Sequence, residues 1–273
     1  MHPIARFSVL ACGISWLAVL PLVLDGLGWT SLGIGPLWHA LGALGPVTAA
    51  FLMRRATHPA VRIRDLYARQ GRPGVSTAWL ALFVLTPMVL LAIAWGAALV
   101  TGDRPDVAAL GRAAAQPAWL ANLVVASVFY GLGEEAGWRG WLLPRLQERH
   151  TAFTATWLLA MIWAVWHAPY FTYRYDFESV GIIFGFFAGL LAGAYWLTFV
   201  FNCTGGSVLT VAAWHTVWNA ANLAAAEMSP AMVTVLNASM MVLGFGVVVV
   251  WGRRGLTVAS KADSAHHAAS PRR

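Results

Sequence analysis

Charge is what this sequence lacks. Asp, Glu, Lys and Arg make up 11% of its 273 residues, against about a quarter in soluble domains, while 59% are hydrophobic. A soluble core cannot absorb that much apolar surface. Cysteine is nearly as scarce. The two present, Cys12 and Cys203, stand too far apart for a metal knuckle or a disulfide framework, and both read as small apolar residues. No H-E-x-x-H and no G-x-S-x-G occurs, and neither cysteine lies beside a histidine, which argues against Ser or Cys nucleophiles and weakens a local zinc motif. The net charge of +7 does not point to nucleic acid, because the basic residues fill short stretches between apolar runs.

Those runs are what the sequence has in quantity. About 18 uncharged apolar residues suffice to carry a helix across a hydrocarbon core, and eight stretches qualify, at about 7–24, 36–53, 78–100, 117–133, 152–171, 180–201, 205–226 and 231–251. The fourth is short and runs straight into Glu134, Glu135 and Arg139, so its helix is expected to continue past them. The expectation is an all-α, polytopic bundle of about eight spans. It forms one domain over residues 1–256, followed by a disordered Ala/Ser/His-rich tail over 257–273 that contains His266 and His267. The run after Arg6 continues to Leu24 with no small-residue cleavage site, so it reads as a retained first helix and not a signal peptide.

Orientation follows from the basic residues. With both termini cytoplasmic, fourteen lie inside: Arg6, six between Arg54 and Arg72, Arg145, Arg149, and five from Arg253 to Arg273. Three, Arg104, Arg112 and Arg174, lie outside, with Arg139 set apart as part of a polar cluster. The loop from Arg54 to Ser76 reads as a plain positive-inside loop, with a surface-lying segment on anionic lipid as the alternative. Gly181, Gly185, Gly189 and Gly193 recur on one helix face, which predicts close packing of a neighbouring helix there.

Ionisable groups in a membrane cost about 2.5–3.5 kcal/mol each even on insertion scales, so those within spans need partners or a purpose. Arg139 lies one helical turn after Glu135 and can pair with it; Glu134, rotated about 100° away, has no obvious local partner. His167 closes Trp163-Ala164-Val165-Trp166-His167 in the fifth span, and His215 and Asn219 share a face of the seventh. His39 reads as a hydrogen-bonded packing residue, and Asn202, Asn222 and Asn237 as interhelical hydrogen-bond partners. Three helices each bring polar side chains into an apolar setting, and meeting in one pocket lets them satisfy one another. Such a set can hydrolyse an amide. Burial and a nearby cation pull a carboxylate's proton affinity in opposite directions, which suits Glu134 to activate a water with help from His167. An imidazole and a carboxamide on one face, His215 and Asn219, supply donors for a tetrahedral oxyanion. A divalent metal such as zinc stays open as a cofactor, since Glu134, His167 and His215 make a two-histidine, one-glutamate ligand set with a free fourth position.

Together, E-E-x-x-x-R from Glu134 to Arg139, aromatic-x-x-x-His from Trp163 to His167 and H-x-x-x-N from His215 to Asn219 resemble the CPBP family, also called Abi. That family joins type II CAAX prenyl endopeptidases with bacteriocin-processing and immunity proteins. The resemblance covers roughly Trp119 to Asn222, within a core of about 117–226; Gly45-Pro46 and the apolar last helix are weaker echoes. It implies Glu134 as the water-activating residue, Glu135 as a supporting acid held by Arg139, and His167 as a second catalytic group. His215 and Asn219 would be oxyanion stabilisers or metal ligands. The family motif often has Phe where Trp163 stands, a difference read as harmless. The implied function is an intramembrane endopeptidase, acting through a Glu/His-activated water on a membrane-associated protein or peptide. All but one of the 18 basic residues are arginine, which suggests a GC-rich bacterial genome, a bacterial cell membrane and a bacterial membrane peptide as substrate. The alternatives are a non-catalytic immunity or regulatory protein and a proton-coupled transporter, the latter without an internal inverted repeat to support it.

Overall fold

The computed structural model describes residues 2–68, 75–175, 177–253 and 255–257, and among these there are helices and no strands. The basic residues Arg69, Arg72, Arg254, Lys261, Arg272 and Arg273, and the tail beyond residue 257 with His266 and His267, lie outside the described residues. The helices are α1 (Pro3–Gly26), α2 (Leu44–Arg55, entered through a 3-10 stretch Pro36–Ala43), α3 (Thr77–Val100) and α4 (Val107–Ala114). They continue with α5 (Pro117–Gln147), α6 (Ala152–Trp166), α7 (Val180–Cys203), α8 (Val208–Met228) and α9 (Pro230–Trp251).

Each of the eight expected ranges overlaps helical structure. By length and apolarity, four helices can cross a membrane on their own, namely α1, α3, α7 and α9; α4 and α5, bent by 87° at their junction, make a fifth if they count as one span. Helix α6 is apolar but has only 15 residues. The second range begins as a 3-10 stretch, and α8 carries His215, Asn219, Asn222 and Glu227. Leu17, Leu85, Val242 and Val249 point outward and are exposed, the surface a hydrocarbon solvent accepts and water does not.

Helix α5 does continue past the charged cluster, and it does so in an unusual form. Phe129–Glu134 and Trp138–Leu142 are π-helical, separated by one α-helical turn, Glu135–Gly137. Such wide turns are rare, and they cluster at functional positions because they re-aim side chains within an otherwise regular helix. Gly133 and Gly137 let this stretch lie directly on the segment before and within α2. A Cβ on Gly133 would sit 2.5 Å from the Ala43 carbonyl oxygen, and one on Gly137 would collide with Pro46.

Chain lengths then return α6 to the polar residues of α5. From Glu134 the helix runs 13 residues to Gln147, and after a short turn α6 runs 15 residues back from Ala152 to His167. The two arms are of similar length, and α6 meets Glu134 at Trp163, one turn before His167, where the indole donates to Oε2 at 2.9 Å. The end of α6 is tied to α1: Trp16 donates to the Trp166 carbonyl at 3.1 Å, and Trp166 donates to Ser15 Oγ at 2.6 Å. Asn237 on α9 donates to Asn222 on α8 at 3.1 Å, an interhelical polar bond of the expected kind.

The expected neighbour at the glycine stripe of α7 is present at one point: a Cβ on Gly189 would meet Met241 of α9 at 3.4 Å, while among the described residues nothing lies within 4 Å of one built on Gly185 or Gly193. The closest approach between α7 and α9 is made by Gly244 against the Ala192 backbone. A repeat of small residues permits close approach, but which face is covered depends on where the other helices lie. The loop after α2 is also more than a plain connection. Its 3-10 turn Ile63–Tyr67 buries Leu66, Tyr67 Oη donates to the Leu132 carbonyl at 3.1 Å, and Arg54 donates to the Asp65 carbonyl at 2.7 Å, so it is docked beneath α5.

Candidate active site

Glu134, Glu135 and Arg139 from α5, His167 at the end of α6 and His215 from α8 are all buried; a contact of Glu135 with His215 joins α5 to α8, and one of Glu134 with Trp163 joins α5 to α6. The pair expected from the one-turn spacing is present: Arg139 Nη1 donates to both oxygens of Glu135, each at 3.0 Å, with both side chains fully buried. On its other side Glu135 Oε1 meets His215 Nδ1 at 2.8 Å. A carboxylate accepts, so Nδ1 carries a proton and Nε2 of His215 is the ring nitrogen directed away from the pair. The same logic fixes His167. Its Nδ1 lies 2.8 Å from the Trp163 carbonyl, which can only accept, so neutral His167 keeps its lone pair on Nε2.

Glu134 has the partners its sequence neighbourhood did not reveal. Trp138 Nε1 donates to its Oε2 at 3.2 Å and Trp163 Nε1 donates to the same oxygen at 2.9 Å. The difference from Phe at Trp163 adds a contact, because the indole supplies a hydrogen bond that a phenyl ring cannot. Trp138 was within reach of sequence reasoning, since it follows Glu134 by the four-residue step that linked Glu135 to Arg139. Trp163 also lies under the Arg139 guanidinium, with 5.1 Å from Cζ to the ring centroid.

Asn219, one turn along α8 from His215, has a buried Nδ2 with no hydrogen-bond partner among the described residues. His39, expected as a packing residue, meets Tyr173 Oη at 2.6 Å and sits edge-on to Tyr170. Cys12 and Cys203 are both buried. Among the described residues no three His, Cys, Asp or Glu side chains are grouped so as to hold a metal ion. That is a matter of spacing and not of donor chemistry, since Nδ1 of each histidine is held by an acceptor and Oε2 of Glu134 by two indoles, which leaves Nε2 of His167, Nε2 of His215 and Oε1 of Glu134 as the atoms that would face a metal.

Comparison with known proteins bears on this same stretch. Residues 116–221, which contain all six candidate residues, match the family model described as type II CAAX prenyl endopeptidase Rce1-like. Over that stretch the chain is similar to CAAX protease-like proteins. A CAAX prenyl protease 2 from Methanococcus maripaludis is 35% identical to it over 75 residues, which is 25% of this chain and 26% of that protein. The chain thus spans about a quarter of that relative's length. The limits of the family match, 116–221, agree with the Trp119–Asn222 stretch that carries the three motifs.

Proposed function

We propose that this protein is a membrane-embedded endopeptidase that cleaves a peptide bond of a membrane-associated protein or peptide, with Glu134 activating the attacking water. The observation that supports this most directly is the asymmetry of the Glu134 carboxylate. Both indole donors converge on Oε2, and a carboxylate oxygen has about two lone pairs to offer, so Oε1 is the oxygen left to take a proton. In this reading the water gives one proton to Glu134 Oε1 and is oriented through its other hydrogen by His167 Nε2. Its oxygen bonds to the carbonyl carbon while the carbonyl π electrons move to oxygen. His215, as an imidazolium whose charge Glu135 balances, and the Asn219 carboxamide donate to that oxyanion. Glu134 then returns its proton to the leaving nitrogen as the C–N bond breaks, so protons and electrons balance without another reactant.

The substrate class comes from the likeness to a CAAX prenyl protease, and the probe follows from it. The purified full chain, given an internally quenched peptide with a farnesylated C-terminal CAAX box, is expected to cleave it, with activity unchanged by exhaustive chelation. Loss of activity in chelator with recovery on adding zinc would overturn the metal-free step and move Glu134, His167 and His215 to ligand roles. Comparing membrane peptides in cells with and without the gene extends the test to leader-bearing precursors. An unchanged peptide profile alongside retained partner protection would favour the non-catalytic immunity reading instead.

The same proposal takes all eight apolar ranges as crossings of a bacterial cell membrane, with both termini cytoplasmic. Reporter fusions after Arg55, Gly102, Arg149 and Gly252 are expected to read inside, outside, inside and inside. An outside result at Gly252 would require an odd number of crossings.

A further inference from the structure

Trp163 touches more of the candidate site than any residue the motifs assign to chemistry. Its indole N–H donates to Glu134 Oε2 at 2.9 Å, its ring lies 5.1 Å from Arg139 Cζ and edge-on to His215 at 6.4 Å, and its carbonyl accepts from His167 Nδ1 at 2.8 Å. Trp138 donates to the same oxygen of Glu134, but the two bonds do different things. Trp138 is on α5 with Glu134 and moves with it, whereas Trp163 is on α6 and ties the carboxylate to the helix that carries His167.

We infer that Trp163 is a positioning residue for hydrolysis, its indole N–H holding Oε2 of Glu134 so that Oε1 faces the same water as His167 Nε2. This rests on the reading of Glu134 as the base. Without the N–H, the carboxylate keeps the Trp138 bond and can rotate about it, which exchanges or displaces the oxygen presented to water. A misplacement of about an ångström is enough to cost a large part of the rate of an oriented step. The carbonyl that fixes the His167 tautomer belongs to the backbone and survives any substitution at this position. A phenyl ring keeps an aromatic group at this position, so Trp163→Phe removes the N–H contact together with one ring of the indole.

The test compares Trp163→Phe and Glu134→Gln with the unaltered full chain on the farnesylated CAAX peptide. Hydrogen bonds to charged groups are strong enough that kcat of Trp163→Phe is expected to fall about ten- to hundredfold, with KM unchanged. Full kcat in Trp163→Phe beside an inactive Glu134→Gln would overturn this inference and leave the hydrolytic reading standing; an active Glu134→Gln would overturn that reading itself. A second measurement needs no turnover. The infrared carboxylate band of Glu134, isolated as the difference between the protein and its Glu134→Gln variant, is expected to shift when Trp163→Phe is introduced. An unmoved band would overturn the inference. Should Trp163→Phe lower the yield of folded protein, replacing Trp163 by its benzothienyl analogue, which keeps the bicyclic shape and lacks the N–H, carries the same two expectations.

Discussion

Glu134→Gln is expected to abolish cleavage of the farnesylated peptide, by about 10²- to 10⁴-fold as for loss of a general base, while the protein folds and inserts as before. The contrast between the two effects comes from the geometry. Glutamine has the shape of glutamate, and its carbonyl oxygen can take the Oε2 position to accept from Trp138 and Trp163, which keeps both indoles satisfied in a buried place. The amide NH₂ then stands where Oε1 was, and it donates where the reaction needs an acceptor. Only the basicity is lost. Glu134→Ala is a harsher variant, since it also leaves two buried indole donors without an acceptor, at about 1–3 kcal/mol for each unsatisfied group; reduced yield in that variant would say little about chemistry. The measurement is therefore kcat for Glu134→Gln beside its thermal midpoint in detergent. Undiminished kcat removes Glu134 as the base, whatever the midpoint does.

Much of the architecture was legible in the sequence because a bilayer imposes a length and a polarity on every helix that crosses it. Each apolar range overlaps a helix, and the Glu135–Arg139 pair follows from the one-turn spacing. What the sequence hid are contacts whose partners lie on other elements. Trp163 is 29 residues from Glu134 and His215 is 80 from Glu135; no periodicity within one helix relates such pairs. The convergence of α5, α6 and α8 could be argued from the cost of isolated polar groups in lipid, but not who bonds to whom. The glycine stripe of α7 meets its neighbour only at Gly189, where a Cβ would lie 3.4 Å from Met241 of α9, because a repeat permits close approach along a whole face and the other helix covers part of it. Gly244 makes the close approach without belonging to any repeat.

Arg139→Met is expected to destabilise the protein more than any other single change at the site, by about 3–5 kcal/mol, the range for breaking a buried ion pair from one side. Two terms compete. Glu135 is fully buried and takes two hydrogen bonds from Arg139 Nη1 and one from His215, so removing the guanidinium leaves a buried carboxylate with a single partner. Against this, Arg139 is itself an expensive resident: its Nε and Nη2 are buried without hydrogen-bond partners among the described residues, and removing it relieves that cost. The first term wins in the single variant because a stranded charge costs more than unused donors on a charge that is already paired. The balance reverses when both partners go. Glu135→Gln combined with Arg139→Met removes the stranded charge as well as the costly guanidinium, and its thermal midpoint is expected to recover most of the loss while activity stays low, since His215 no longer has a carboxylate to balance an imidazolium. Arg139→Lys is expected to fall between. A single nitrogen makes both contacts to Glu135, which an ammonium can imitate, but the cationic carbon 5.1 Å over the Trp163 ring belongs to the guanidinium alone. A midpoint for Arg139→Met equal to that of the unaltered protein, or a double variant no more stable than the single, would mean that the guanidinium does not balance the buried Glu135 carboxylate in the way its geometry implies.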